Sequence, residues 1–138
     1  MSADFSSGNA LQLLATGVEY FPALIAAIDS ATHEVHLETY IFANDETAQS
    51  VAAALADAAR RGVAVRVLVD GFGARDFATG PGAALIADGV ELLVYRPQPR
   101  KRRLHWHRFR RLHRKLAVID GRLAFVGGIN IISDFDAG

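Results

Sequence analysis

Leu112-His113-Arg114-Lys115-Leu116-Ala117-Val118-Ile119-Asp120-Gly121-Arg122-Leu123-Ala124-Phe125-Val126-Gly127-Gly128-Ile129-Asn130 is a pair of apolar runs on either side of Asp-Gly. That pattern is the strongest short-range signal for a β-hairpin, because the favoured two-residue turn needs positive φ at both central residues. Taken literally, the turn sets Ile119 opposite Arg122, Lys115 opposite Val126 and His113 opposite Gly128. Paired residues share a face and side chains alternate along each strand. His113, Lys115, Gly128 and Asn130 are therefore expected on one face, with Gly128 leaving room for a ligand across from the histidine. Asp120 falls out of step with His113, and its carboxylate is expected to hold the turn or a neighbouring basic residue.

Upstream of the hairpin the chain alternates between helical and extended patterns. Thr16 and Glu19 have capping-box spacing, and Val18, Phe21, Ile25 and Ile28 recur at helical intervals, which predicts a helix ending near Ala31. Glu34 to Phe42, rich in β-branched and aromatic residues, reads as a strand. Asn44 or Asp45 then caps an Ala-rich helix that runs through Arg61 and is closed by Gly62. Val63 to Val69 is an almost unbroken apolar run, the signature of a strand covered on both faces, and Asp70 stands at its end. A Gly- and Pro-containing loop, a short helix over Ala83 to Asp88 and a third strand over Val90 to Tyr95 complete the series. The fold class expected is α/β, a mostly parallel sheet flanked by helices with a C-terminal hairpin. Residues 1–15 read as a polar lead-in and 16–138 as a single domain.

Composition narrows the chemistry. The 138 residues contain no cysteine, which excludes a disulfide scaffold, a Cys-ligated zinc and a thiol nucleophile. The run from Phe21 to Ile28 is too short to span a bilayer, so no transmembrane helix is predicted, and no basic n-region follows Met1 to suggest a secretory signal. Net charge is zero, yet the stretch from Arg100 to Lys115 holds nine Lys or Arg, three His and no acid. Such a block suits a polyanion or an anionic membrane surface as well as it suits water. Trp106 and Phe109 within it favour the interfacial reading.

His, Lys and Asn on one face suit a phosphodiester. A neutral imidazole attacks phosphorus, while an ammonium and a carboxamide hold the nonbridging oxygens. One such set is half a site, because the leaving oxygen needs a proton from a second group facing the first across the phosphate. The spacing His113-x-Lys115-x4-Asp120-x6-Gly127-Gly128-x-Asn130 resembles the HxKxxxxD signature of the phospholipase D superfamily. The Gly-Gly-Ile-Asn ending is similar to that of bacterial cardiolipin synthases. So are Leu37-Glu38-Thr39-Tyr40-Ile41-Phe42, Ala59-Arg60-Arg61-Gly62-Val63 and Leu68-Val69-Asp70-Gly71.

The resemblance implies a phospholipase D-like half-domain, the N-terminal of two repeats. It implies catalytic His113, Lys115 and Asp120, substrate-binding Asn130 and Gly128, a phosphohistidine intermediate, and neither cofactor nor metal. The implied reaction passes a phosphatidyl group from phosphatidylglycerol to an acceptor lipid alcohol, peripherally at the bacterial cytoplasmic membrane. Since those enzymes carry two signatures and this sequence carries one, the partner implied is a second half-repeat or a second copy. Two alternatives stay open: a homodimeric phosphodiesterase or nuclease holding nucleic acid on the basic stretch, and a noncatalytic anion-binding module.

Blander readings apply elsewhere. Glu38, on the presumed central strand, is expected in a buried pair with an arginine. His33 and His36 read as ordinary surface or core residues, and His105 and His107 lack the Cys or carboxylate company of a metal site. Asp70 lies where α/β proteins bind ligands, by analogy of position only.

Overall fold

Alternate positions along three neighbouring strands carry the apolar side chains that decide which way the sheet faces. The computed structural model describes residues 7–97 and 110–133. Its elements are α1 (Gly17–Asp29), β1 (Glu34–Thr39), α2 (Glu46–Arg60), β2 (Ala64–Asp70), α3 (Arg75–Thr79), α4 (Pro81–Ala87), β3 (Glu91–Tyr95), β4 (Leu116–Ile119) and β5 (Leu123–Val126). One five-stranded sheet runs in the order β3-β2-β1-β4-β5. The first three strands are parallel, and the hairpin adds β4 antiparallel to β1 and β5 antiparallel to β4.

Val35, Leu37, Val65, Val67, Val69, Ala117 and Ile119 all point to one face and form the core with Leu24, Ile28, Val51 and Leu55 from α1 and α2. The opposite face is different from the prediction for β2. Ala64 and Arg66 are exposed and Leu68 is only half-buried. Arg66 stands in ion pairs with Glu91 (3.1 Å) and Glu34 (3.9 Å). The strand order explains this correction: β1, β2 and β3 step in one direction across the sheet, so right-handed crossovers send their helices to the same side.

Local chemistry sets the boundaries. Asp45 caps α2 through its carboxylate, which accepts from Ala48 N (2.9 Å), and Gly62 ends the helix at φ +91. Thr16 occupies the N-cap of α1 without a side-chain cap bond, and Glu19 reaches past it to accept from Ala15 N (2.7 Å). Helix α3 lies within what the sequence marks as loop. It forms because Phe77 is fully buried, its ring stacked on Phe42 with centroids 3.8 Å apart.

The hairpin turn has the expected chemistry and a shifted register. Asp120 (φ 54) and Gly121 (φ 61) occupy the left-handed region, and Arg122 N donates to Ile119 O at 3.1 Å. Beyond that bond Ile119 pairs with Leu123, not Arg122, and Leu116 pairs with Val126. Arg122 is an extra residue between turn and ladder, a bulge that moves every cross-strand partner by one. Lys115 accordingly accepts from Gly127 N (3.2 Å), so Gly128 and Asn130 do not share the face of His113 and Lys115 by hairpin pairing.

Candidate active site

Asn130 reaches the site by another route. After β5 the chain turns back, and Ile131 forms a parallel bridge with Phe42 just past the end of β1. Ile131 N donates to Ile41 O (3.0 Å) and Ala43 N to Ile131 O (2.9 Å), while Asp45 accepts from Ser133 N (2.7 Å). This clasp brings the Asn130 carboxamide to the end of β1, where its Oδ1 accepts from Ile41 N at 3.2 Å. With the oxygen engaged, the amide nitrogen is the group left to donate.

Lys115 continues the inward-facing series of β4 beyond Ala117 and is 7% exposed. Its Nζ donates to His113 O (3.2 Å) and stands 3.3 Å from both ring nitrogens of His113. Burial of the ammonium lowers the Lys115 pKa from the usual lysine value. Tyr40 closes the group: its ring lies 5.2 Å from the His113 ring and 5.6 Å from Lys115 Nζ, centroid distances within ring-contact and cation–π range. His113 itself is exposed. The end of β1 thus gathers His113 and Lys115 at Tyr40 and Asn130 at Ile41.

Gly128 is exposed, and a Cβ there would meet nothing within 4 Å. The chain itself does not demand glycine at that position. Asp120 stands at the far end of β4 from His113. Its carboxylate accepts from Thr32 N (3.0 Å), His33 N (2.8 Å), Glu34 N (2.9 Å) and Thr32 Oγ1 (3.2 Å), and its own N–H donates to Glu34 O (2.9 Å). The backbone bonds from Glu34, Thr32 and His33 hold its pKa well below the usual carboxylate range. Its partners are the backbone leading into β1 and the Thr32 hydroxyl; no basic side chain is among them.

Two contributors escaped the sequence. Tyr40 carried no catalytic spacing, although a tyrosine at the C-terminal end of a parallel strand stands where such sheets bind ligands. Asp70 was placed there only by analogy, and its carboxylate is fully buried and spoken for. Oδ1 accepts from Phe72 N (2.8 Å) and Gly73 N (3.1 Å), and Oδ2 from Leu112 N (2.9 Å), one residue before His113. Asp70 therefore braces the entry to β4 against the loop after β2.

Glu38 pairs with Arg114 at 3.1 Å, but at the surface, with the arginine side chain 66% exposed, which corrects the expected buried pair. No group of three metal-ligating side chains gathers among the described residues. Most of the basic stretch, including Trp106, Phe109, His105 and His107, lies outside the described residues.

The architecture is that of the phospholipase D class. The structure superposes on Nuc, a phospholipase D family member from Salmonella typhimurium, with a TM-score of 0.57 over 81% of this chain and 64% of that one at 24% identity. NucT from Helicobacter pylori gives a TM-score of 0.57 over 80% and 66% of the two chains at 19% identity. Residues 24–134 match the family described as cardiolipin synthase, PLD-like domain, and the chain belongs to that family. Cardiolipin synthase B of Salmonella typhi is 44% identical over 94% of this chain and that of Escherichia coli K12 is 42% identical over 94%. Cardiolipin synthase of Geobacillus kaustophilus is 37% identical over 89%. The chain spans 32% of the length of the first two relatives and 24% of the third.

Proposed function

We propose that this chain is one catalytic half of a phosphatidyltransferase of the cardiolipin synthase type. The observation that carries the reading is the buried Lys115 ammonium, 3.3 Å from the His113 ring nitrogens and backed by Tyr40, in a family of cardiolipin synthases. A ring nitrogen of His113 attacks the phosphorus of phosphatidylglycerol. The bond from phosphorus to the departing glycerol oxygen breaks, and that oxygen takes a proton from an imidazolium supplied by a second half-repeat or second copy. The hydroxyl of an acceptor lipid then returns a proton to that imidazole and attacks phosphorus, and the phosphorus–nitrogen bond breaks to free His113. Lys115 Nζ and the Asn130 amide nitrogen stabilise charge on the nonbridging oxygens in both steps. Asp120 acts at a distance from substrate, by tying the hairpin to β1. The reaction takes place at an anionic membrane surface to which the enzyme binds peripherally; no described helix is long and apolar enough to cross a membrane.

The test supplies phosphatidylglycerol vesicles and, separately, single-stranded DNA in EDTA to the chain paired with a second half or copy. Lipid product is expected, with DNA left intact and His113→Asn abolishing turnover. Consumption of DNA with the lipid spared, or ordinary lipid turnover by a monomer, would contradict the proposal.

A further inference from the structure

An imidazole attacks phosphorus well only when its ring is held with a nitrogen in line, and a small misplacement costs much of the rate. An ammonium on a flexible four-carbon stem likewise loses entropy when a phosphate fixes it, unless it is already in place. The described contacts of the His113 ring are with Lys115 Nζ, 3.3 Å from each nitrogen, and with the Tyr40 ring, 5.2 Å between centroids at a tilt of 46°. Among the described residues no carboxylate orients that imidazole, and Asp120, the acid of the motif, is bonded at the far end of β4. Tyr40 faces both functional side chains, since Lys115 Nζ lies 5.6 Å from its centroid. Lys115 is buried, and a cation over a ring is worth most where water is excluded.

The tyrosine is itself held from behind. Tyr40 follows the last residue of β1, and Gly73 lies against it so closely that a Cβ there would collide with the Tyr40 carbonyl oxygen and come within 3.1 Å of ring carbon Cε2. Gly73 N donates to Asp70 Oδ1 (3.1 Å), while Asp70 Oδ2 accepts from Leu112 N (2.9 Å), one residue before His113. One buried carboxylate thus sets both the loop that supports Tyr40 and the backbone that carries His113. Toward the site, both contacts are made by the ring of Tyr40 and not by its hydroxyl.

We propose that Tyr40 is a positioning residue: its ring keeps the Lys115 ammonium in place for a nonbridging phosphate oxygen and stops the His113 ring from turning out of line. Its part in turnover rests on the transferase reading above; its hold on Lys115 does not. A carboxylate at this position would pair with Lys115 and repel the incoming phosphate. An aromatic face attracts the ammonium without adding a negative charge, so the cation stays available to the substrate.

Equilibrium titration of the full chain with inorganic phosphate tests the hold on Lys115, and turnover of phosphatidylglycerol by the chain paired with a second half or copy tests the hold on His113. Tyr40→Phe is expected to stay within about twofold of wild type in both, because the ring is kept. Tyr40→Leu is expected to weaken phosphate binding by about threefold or more and to lower kcat by about tenfold or more. Fluorines added one by one to the ring of the Tyr40→Phe variant withdraw electron density from its face with little change of shape. Phosphate affinity is expected to fall at each addition, whereas a ring that served as packing alone would leave it unchanged. Tyr40 is half-buried, so urea unfolding is read on the same variants, and the fluorinated series keeps the test decisive if Tyr40→Leu does not fold. Constant phosphate affinity across that series, full kcat in a folded Tyr40→Leu, or loss of either property in Tyr40→Phe would overturn the proposal. A falling series in a protein that transfers no phosphatidyl group would support the hold on Lys115 and refute the transferase reading.

Discussion

Lys115 holds a charge where water is nearly excluded, and its proton is correspondingly easier to lose. Because burial lowers the value, the ammonium proposed to hold phosphate loses its proton at a lower pH than an ordinary lysine, whose value is 10.5. Anion binding measured against pH is expected to show that alkaline limb in wild type and to lose it in Lys115→Arg, whose charge persists. The same shift acts on folding: the cost of burying the charge is full at low pH and fades as pH rises through the lowered folded-state value. Asp70 makes a second prediction at this scale. In Asp70→Asn an amide NH2 must replace one of two accepting oxygens, leaving Leu112 N or the loop N–H groups without a partner. Urea unfolding is expected to show a loss of about 1–3 kcal/mol. His113 and Lys115 were legible as neighbours because they lie two residues apart on an extended segment, whereas Asn130 reaches the same end of the sheet through the bridge to Phe42 and not by the hairpin pairing expected of it. The roles of Tyr40 and Asp70 were not, because each depends on contacts with residues far along the chain that no local pattern encodes.

The hairpin shows how far local rules reach among the elements. Asp-Gly predicted the turn and its positive φ values correctly, while the insertion of Arg122 moved the register, and a one-residue slip reverses the face of every partner. Nothing in the local sequence distinguishes a bulged from an unbulged exit, since Arg122 and Leu123 both continue an extended chain. Parallel strands and the two long helices were legible from periodicity. Helix α3 was hidden because burial of Phe77 against Phe42, not propensity, holds it. Asp120 fastens this hairpin to the start of β1, and its lowered pKa fixes the sign of a pH effect. Its stabilisation is present above the unfolded carboxyl value near 4 and is lost as pH falls through the still lower folded value. Acid titration of stability is expected to be shallower in Asp120→Asn, which should also melt several degrees lower at neutral pH. Gly73 makes a companion test, since a Cβ there would collide with the Tyr40 carbonyl oxygen. Gly73→Ala is expected to cost about 1–3 kcal/mol and to move Tyr40 away from His113, read by unfolding and by loss of phosphate binding.

At the scale of the whole molecule, the helices of the three parallel strands lie on one face of the sheet, and the other carries Glu34, Glu38, Arg66 and Glu91 with Leu93, 66% exposed. The site stands at the end of the sheet where β1 and β2 terminate, within reach of the loop after β2. Among the described residues it presents one imidazole toward solvent, where the proposed chemistry needs two. On that proposal turnover depends on pairing: activity across sedimentation fractions is expected to follow the paired species and to be absent from the monomer. The central claim is that His113, Lys115 and Asn130 meet at one phosphorus, and a crystal structure with tungstate bound tests it most directly. An oxyanion is expected with a His113 ring nitrogen in line with the metal atom and with Lys115 Nζ and the Asn130 amide nitrogen on its oxygens. An oxyanion held without Lys115, or His113 turned away from it, would contradict the account.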